Sequence, residues 1–163
     1  MKSIFCKILL LATFGLLVVS PVRAAETTVD KEARCAVCGM FVAKYPNWLV
    51  TLTMSDGTTN YFDGVKDMMA FYFAPQTYGA KSGATITEIR VNDYYTLKPV
   101  DARKAFYVVG SDVTGPMGHE FVPFSNKEAA DSFSQDHHGT KTLTFDAITS
   151  EQVEAMRSGQ RMK

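Results

Sequence analysis

The sequence predicts an α+β fold made of two small units in pseudo-repeat, each running strand, strand, helix, strand. Three observations predict it. From Arg34 onward, short runs rich in β-branched and aromatic residues alternate with stretches of helical periodicity. Laying FDGVKDMMAFYF over FSNKEAADSFSQ puts Phe62 on Phe124, Asp63 on Ser125 and Phe71 on Phe133, so the same order of elements occurs twice. A chain of 163 residues, 46% hydrophobic and 21% charged, has the material for one compact domain or two very small ones.

Residues 1–24 read as a signal peptide: Lys2 and Lys7, an apolar run over 8–19, then Ser20-Pro21. Val22 and Ala24 place small residues three and one positions before a cut, so the mature chain is expected to begin at Ala25 and to work in the periplasm. Cys6 lies inside this leader rather than at its cut, so no lipid anchor or membrane tether is expected from it. Seventeen basic groups balance seventeen acidic ones, and loss of Lys2, Lys7 and Arg23 tips the balance to acidic. Such a surface has no basic surplus to hold nucleic acid.

The first unit is expected over 25–97. Residues 41–45 and 47–54 read as strands, Ser55-Asp56-Gly57 as a turn, and residues 58–62 as the returning strand of a hairpin. Asp63 stands where an N-cap belongs, ahead of a helix over 64–74 that Pro75 stops. Residues 78–84 are a Gly- and Ser-rich loop, and 86–91 a half-buried strand. The second unit is expected over 98–163, with residues 98–103 and Pro99 as the seam. It has strands at 105–109 and 121–124, a Gly-rich turn between them, Ser125 capping a helix, and a strand at 142–145. Residues 150–163 suggest a short helix that frays into a charged tail.

Once the leader is gone, Cys35 and Cys38 of CAVCGM are the remaining cysteines, so the thiol chemistry sits in one place. A bridge across two residues would close too small a loop to be a useful staple. A redox pair or a soft-metal site remains. Most methionines are core filler, and Met68 and Met69, mid-helix beside Phe71, Tyr72 and Phe73, read that way. Met40 and Met117 differ, because neither the position after Cys38-Gly39 nor the Gly-Pro-Met-Gly-His turn asks for an apolar residue. His119, two residues beyond Met117, would be merely solvated as an isolated loop histidine. His137 and His138 suit a helix C-terminus. Asp63 and Asp67, four apart with Lys66 between them, read as a cap and a solvated face.

CAVCGMFVAKYPNW, YFDGVKDMMAFYF and GPMGHEFVPFSNKEAADSF, in that order, resemble the signature blocks of the NosL family, accessory proteins for assembly of the copper centres of nitrous oxide reductase. The resemblance covers nearly all of the mature chain. It implies a periplasmic Cu(I)-binding chaperone of two small α+β units, with nitrous oxide reductase or its assembly machinery as partner. It also implies sulfur-rich coordination, which makes Cys35, Cys38, Met40, Met117 and His119 the candidate copper shell. Thiolate, thioether and imidazole all suit a soft monovalent ion. Family members are commonly membrane-tethered lipoproteins, a pattern from which the placing of Cys6 departs.

The rival reading is a periplasmic thiol-disulfide redox protein using Cys35 and Cys38. Such enzymes place the first thiol at a helix N-terminus, which lowers its pKa, whereas GMFVAKY after Cys38 reads as strand. A structural zinc site would want a second pair of cysteines. The sequence holds no phosphate loop, no GxSxG elbow and no HExxH, and the expectation is a carrier rather than an enzyme.

Overall fold

The computed structural model describes residues 29–163. The expected leader, its cut and Cys6 lie outside the described residues. Two antiparallel sheets carry the fold. The first comprises β1 (Val50–Met54), β2 (Thr59–Phe62), β3 (Ile86–Asn92) and β4 (Pro99–Asp101) in the order β2-β1-β3-β4, and the second β5 (Phe106–Val109), β6 (Val122–Phe124) and β7 (Lys141–Thr144) in the order β6-β5-β7. Helix α1 (Val65–Phe73) follows β2, α2 (Lys127–Asp136) follows β6, and α3 (Ser150–Arg157) comes last. Each sheet therefore places its first strand centrally between the second and the third, with the helix in the crossover.

The alternation along β1 explains its two faces: Val50, Leu52 and Met54 are buried while Thr51 and Thr53 are only partly so. The strand β5 breaks that rule because its sheet is covered on both sides. Tyr107 and Val109 join the main core with Leu52, Phe62, Met68, Phe71 and Ile89, whereas Val108 packs with Phe124, Ala130 and Phe133 under α2. Val153 and Met156 of α3 close the main core from the α1 side. Met68 and Met69 are core residues, as expected.

Several expectations are corrected. Residues 41–45 form no strand. Val42–Lys44 form a short helical turn, and a second, Pro46–Trp48, takes the start of the strand expected over 47–54, which begins only at Val50, because Pro46 favours the start of such a turn and the chain must bend sharply to enter β1. Asp63 does not cap α1, whose N-cap is Gly64. Ser125 does not cap α2 either, since the Asn126 side chain accepts the Ala129 amide at 2.9 Å. Pro99–Asp101, expected at the seam, is the edge strand of the first sheet. The short helix expected over 150–163 is α3, opened by a Thr149–Gln152 capping box, but the residues after it are tied down rather than frayed: Arg161 Nε donates to the Gly110 carbonyl at 2.8 Å and Thr140 Oγ1 to the Met162 carbonyl at 3.2 Å. His137 does end α2, its ring stacked 4.4 Å from that of Phe133 and its Nδ1 3.0 Å from Asp112.

Candidate metal centre

The CxxCGM segment is a closed loop laid along the edge of β2. The Cys35 amide donates to the Met40 carbonyl at 2.8 Å and the Gly39 amide to the Cys35 carbonyl at 2.9 Å. Gly39 takes φ +77, a left-handed conformation that a side chain would oppose. Cys35 bridges to Tyr61, and the Ala36 amide donates to the Tyr61 carbonyl at 3.0 Å, which fixes the loop to the sheet. Arg34 lies over the Phe41 ring at 3.8 Å and clasps the far side.

Both cysteines are free thiols, and each faces a carboxylate of the α1 entry. Cys35 Sγ donates to Asp67 Oδ2 at 3.4 Å and Cys38 Sγ to Asp63 Oδ1 at 3.3 Å, while the Cys38 amide points at Cys35 Sγ from 3.5 Å. One ligand atom from each of these four residues lies within 4.8 Å of the other three. Asp63 is 2% exposed, yet its Oδ2 has no hydrogen-bond partner. A buried oxygen of this kind is costly unless something is to be bound there. Burial, more than the neighbouring carboxylates, pushes the Cys38 thiol up to about 12 and the Cys35 thiol higher still.

Sequence reasoning missed the two aspartates, yet a signal for them existed. Apart from Lys66 and Asp67, α1 is apolar around its whole circumference. A helix without a polar face is buried on every side, so the charged residues it does carry must be buried with it. Asp67 and Lys66 are 5% and 3% exposed, which overturns their reading as a solvated face. Arg157 of α3, 3.9 Å from Asp67 Oδ1, supplies part of the compensating charge.

The Gly-Pro-Met-Gly-His turn arrives at the same end of α1. Lys66 Nζ donates to the Met117 carbonyl at 2.8 Å and to the His119 carbonyl at 3.0 Å. Glu120, also missed, replaces the absent cap: its Oε1 accepts the Lys66 amide at 2.6 Å and the Phe121 amide at 2.9 Å. Its carboxyl lies so close over Gly64 that a Cβ there would overlap Oε2, which explains the glycine. Burial pushes Glu120 up to about 8, outweighing the Phe121 amide and the Lys66 charge that pull it down.

Of the five residues expected to hold metal, Cys35 and Cys38 thus lie together above Asp63 and Asp67. Met117, 49% exposed, and His119, half-buried, sit on a turn bonded to the same helix entry, though His119 is not part of the four-residue cluster. Met40 is half-buried and closes the CxxC loop through its carbonyl. The paired thiols are donors suited to a soft ion, and the turn that carries Met117 and His119 is bonded through its carbonyls to the same helix entry.

The NosL family profile matches residues 26–153. The copper-binding lipoprotein NosL of Stutzerimonas stutzeri is 26% identical over 121 residues, covering 70% of this chain, while the chain spans 60% of that relative's length. The crystal structure of the copper chaperone NosL from Shewanella denitrificans superposes with a TM-score of 0.66 at 29% identity, over 82% of this chain and all of that one. The solution structure of apo-NosL from Achromobacter cycloclastes is 30% identical over 64% of this chain and 87% of that one, with a TM-score of 0.47. With the profile spanning most of the chain and the same α+β fold in a solved relative, this protein belongs to the NosL family.

Proposed function

We propose that the protein is a periplasmic Cu(I)-binding metallochaperone that carries copper for assembly of the nitrous oxide reductase centres. The observation that carries the reading is the pair of free thiols held side by side at the α1 entry, with the Met117–His119 turn bonded to that same entry. Cys35 and Cys38 supply thiolates, and Met40, Met117 and His119 the neutral ligands. A site mixing neutral and anionic donors gives up a monovalent ion more readily than an all-thiolate cage, which is what a carrier requires. Family membership and the copper-related names of the relatives support it.

The thiol geometry opposes a disulfide-exchange enzyme. An attacking thiol is made reactive by a pKa below the ordinary value, usually at a helix N-terminus. Here both thiols are pushed up, and CxxC leads into a turn rather than an α-helix. The test is an anaerobic Cu(I) competition titration of the reduced protein, with bound ions counted by mass spectrometry. One ion per chain is expected, lost in C35S/C38S, and a copper-loaded sample should restore apo nitrous oxide reductase. No binding by folded, reduced protein would refute the reading.

A further inference from the structure

We propose that Lys66 is a positioning residue for copper capture, its ammonium pinning the Met117–His119 turn against the thiol cluster. The inference rests on the copper reading above, in which that turn contributes ligands. Lys66 is 3% exposed in a helix whose other positions, Asp67 and Tyr72 apart, are filled with Val, Met, Ala and Phe, so an apolar residue would be the expected choice there. A charge in that position needs a reason.

The bonding supplies one. Two of the three ammonium donors go to the carbonyls of residues 117 and 119, one on each side of Gly118, which sits at φ +86. The turn's own fastening is a reciprocal pair of amide bonds between Gly115 and Gly118 at 2.8 and 3.2 Å, which closes Pro116 and Met117 into a turn but does not tie that turn to α1. Met117, half in solvent, has little packing to fix it. Lys66 also stands between the two aspartates that receive the thiols. Residues 63 to 67 therefore fasten both halves of the proposed copper shell, and Lys66 is the link to the half on the second sheet. Holding a ligand loop in its bound form in advance removes the ordering cost from binding.

The test is a double-mutant cycle on Cu(I) affinity, using K66M and K66R in the wild-type background and in M117A/H119A. K66M should weaken binding at least tenfold when the turn is intact and change nothing further when Met117 and His119 are gone. K66R, which also donates to two carbonyls, should restore most of the loss. A residue with only a structural role would weaken both backgrounds alike, and that result would overturn the proposal. So would K66M binding as tightly as wild type while M117A/H119A binds weakly, an outcome that leaves the copper reading standing. If M117A/H119A itself binds like wild type, the turn's ligand role falls and this inference with it. Should circular dichroism show K66M unfolded, K66Q enters the same cycle. Copper-edge absorption gives an independent readout: the imidazole signature of His119 should weaken in the Lys66 variant, and its full retention would count against pinning.

Discussion

Replacing Asp93 with asparagine should weaken the tie between the two sheets. Asp93, 1% exposed, follows β3 and reaches across to the end of β6. Its Oδ1 accepts the Tyr95 amide at 3.2 Å and the Thr96 amide and hydroxyl at 2.8 Å each, while Oδ2 accepts the Ser125 amide at 2.7 Å. The Tyr94 amide donates to the Pro123 carbonyl at 2.9 Å alongside. Asparagine keeps one oxygen for the first three donors and turns an NH₂ toward the Ser125 amide, donor against donor. One charge-assisted bond is lost and a partly buried amide is left unpaired, together about 3 kcal/mol. For a domain of this size that lowers Tm by about 10 °C. Burial works against ionisation of Asp93, but the Ser125 and Thr96 bonds outweigh it and hold its carboxyl below the usual range. Its contribution is therefore complete above the unfolded-state value of about 4 and is lost as pH falls through the lower folded-state value. Urea unfolding at neutral pH and at a series of acid pH values reads both effects. A variant within about 0.5 kcal/mol of wild type, or one with an unchanged acid limb, would refute the reasoning.

Two further outcomes follow from the site. Glu120→Gln should keep the fold at neutral pH, because burial favours the uncharged carboxyl and an amide oxygen can accept the Lys66 and Phe121 amides equally, whereas Glu120→Ala should cost about 2–4 kcal/mol. With its folded-state value raised to about 8, Glu120 contributes stability that is full below the ordinary value of 4.5 and gone once pH rises past 8, so wild type should lose stability relative to E120Q progressively across that interval in chemical denaturation. Alkylation of the reduced, metal-free protein should be slow at pH 8 and accelerate toward pH 12, since burial pushes the Cys38 thiol up to about 12. Rapid labelling at pH 7 would show a thiol poised for exchange.

The strands and helices were legible wherever a local rule governed them. The returning strand after the Ser55-Asp56-Gly57 turn, that turn itself and the Pro75 stop are facts about neighbouring residues, and the structure keeps all three. The failures at the α1 entry share one cause: a distant residue has taken over a local role. Asp63 reads as a cap because its neighbours suit one, but Cys38, 25 positions away, occupies its Oδ1 and Glu120 performs the capping from 54 positions beyond Lys66. Ser125 differs: its neighbour Asn126 takes the cap one position later, while the Ser125 amide is bonded by Asp93. Propensity weighs a residue against its neighbours in sequence and has no term for such exchanges.

The displaced caps also show where the molecule departs from its own stability rules. A self-sufficient α1 would begin with a bonded Asp or Ser and carry no charge inside, and α3 with its Thr149–Gln152 capping box begins in this conventional way. At α1 the cap comes from the other sheet, two carboxylates face thiols, a lysine is spent on two carbonyls, and the Asp63 Oδ2 atom is left without a partner. Each feature costs stability if only folding is considered, and all of them fall within residues 63 to 67. Departures gathered in one turn of one helix mark selection for what that turn holds, and what it holds is the pair of thiols and the Met117–His119 turn. On the proposed copper reading the charged residues of the α1 entry are part of the site as the cysteines are, and K66M and E120A break its two ties, the ammonium's to the ligand turn and the carboxyl's to the helix, which meet at Lys66.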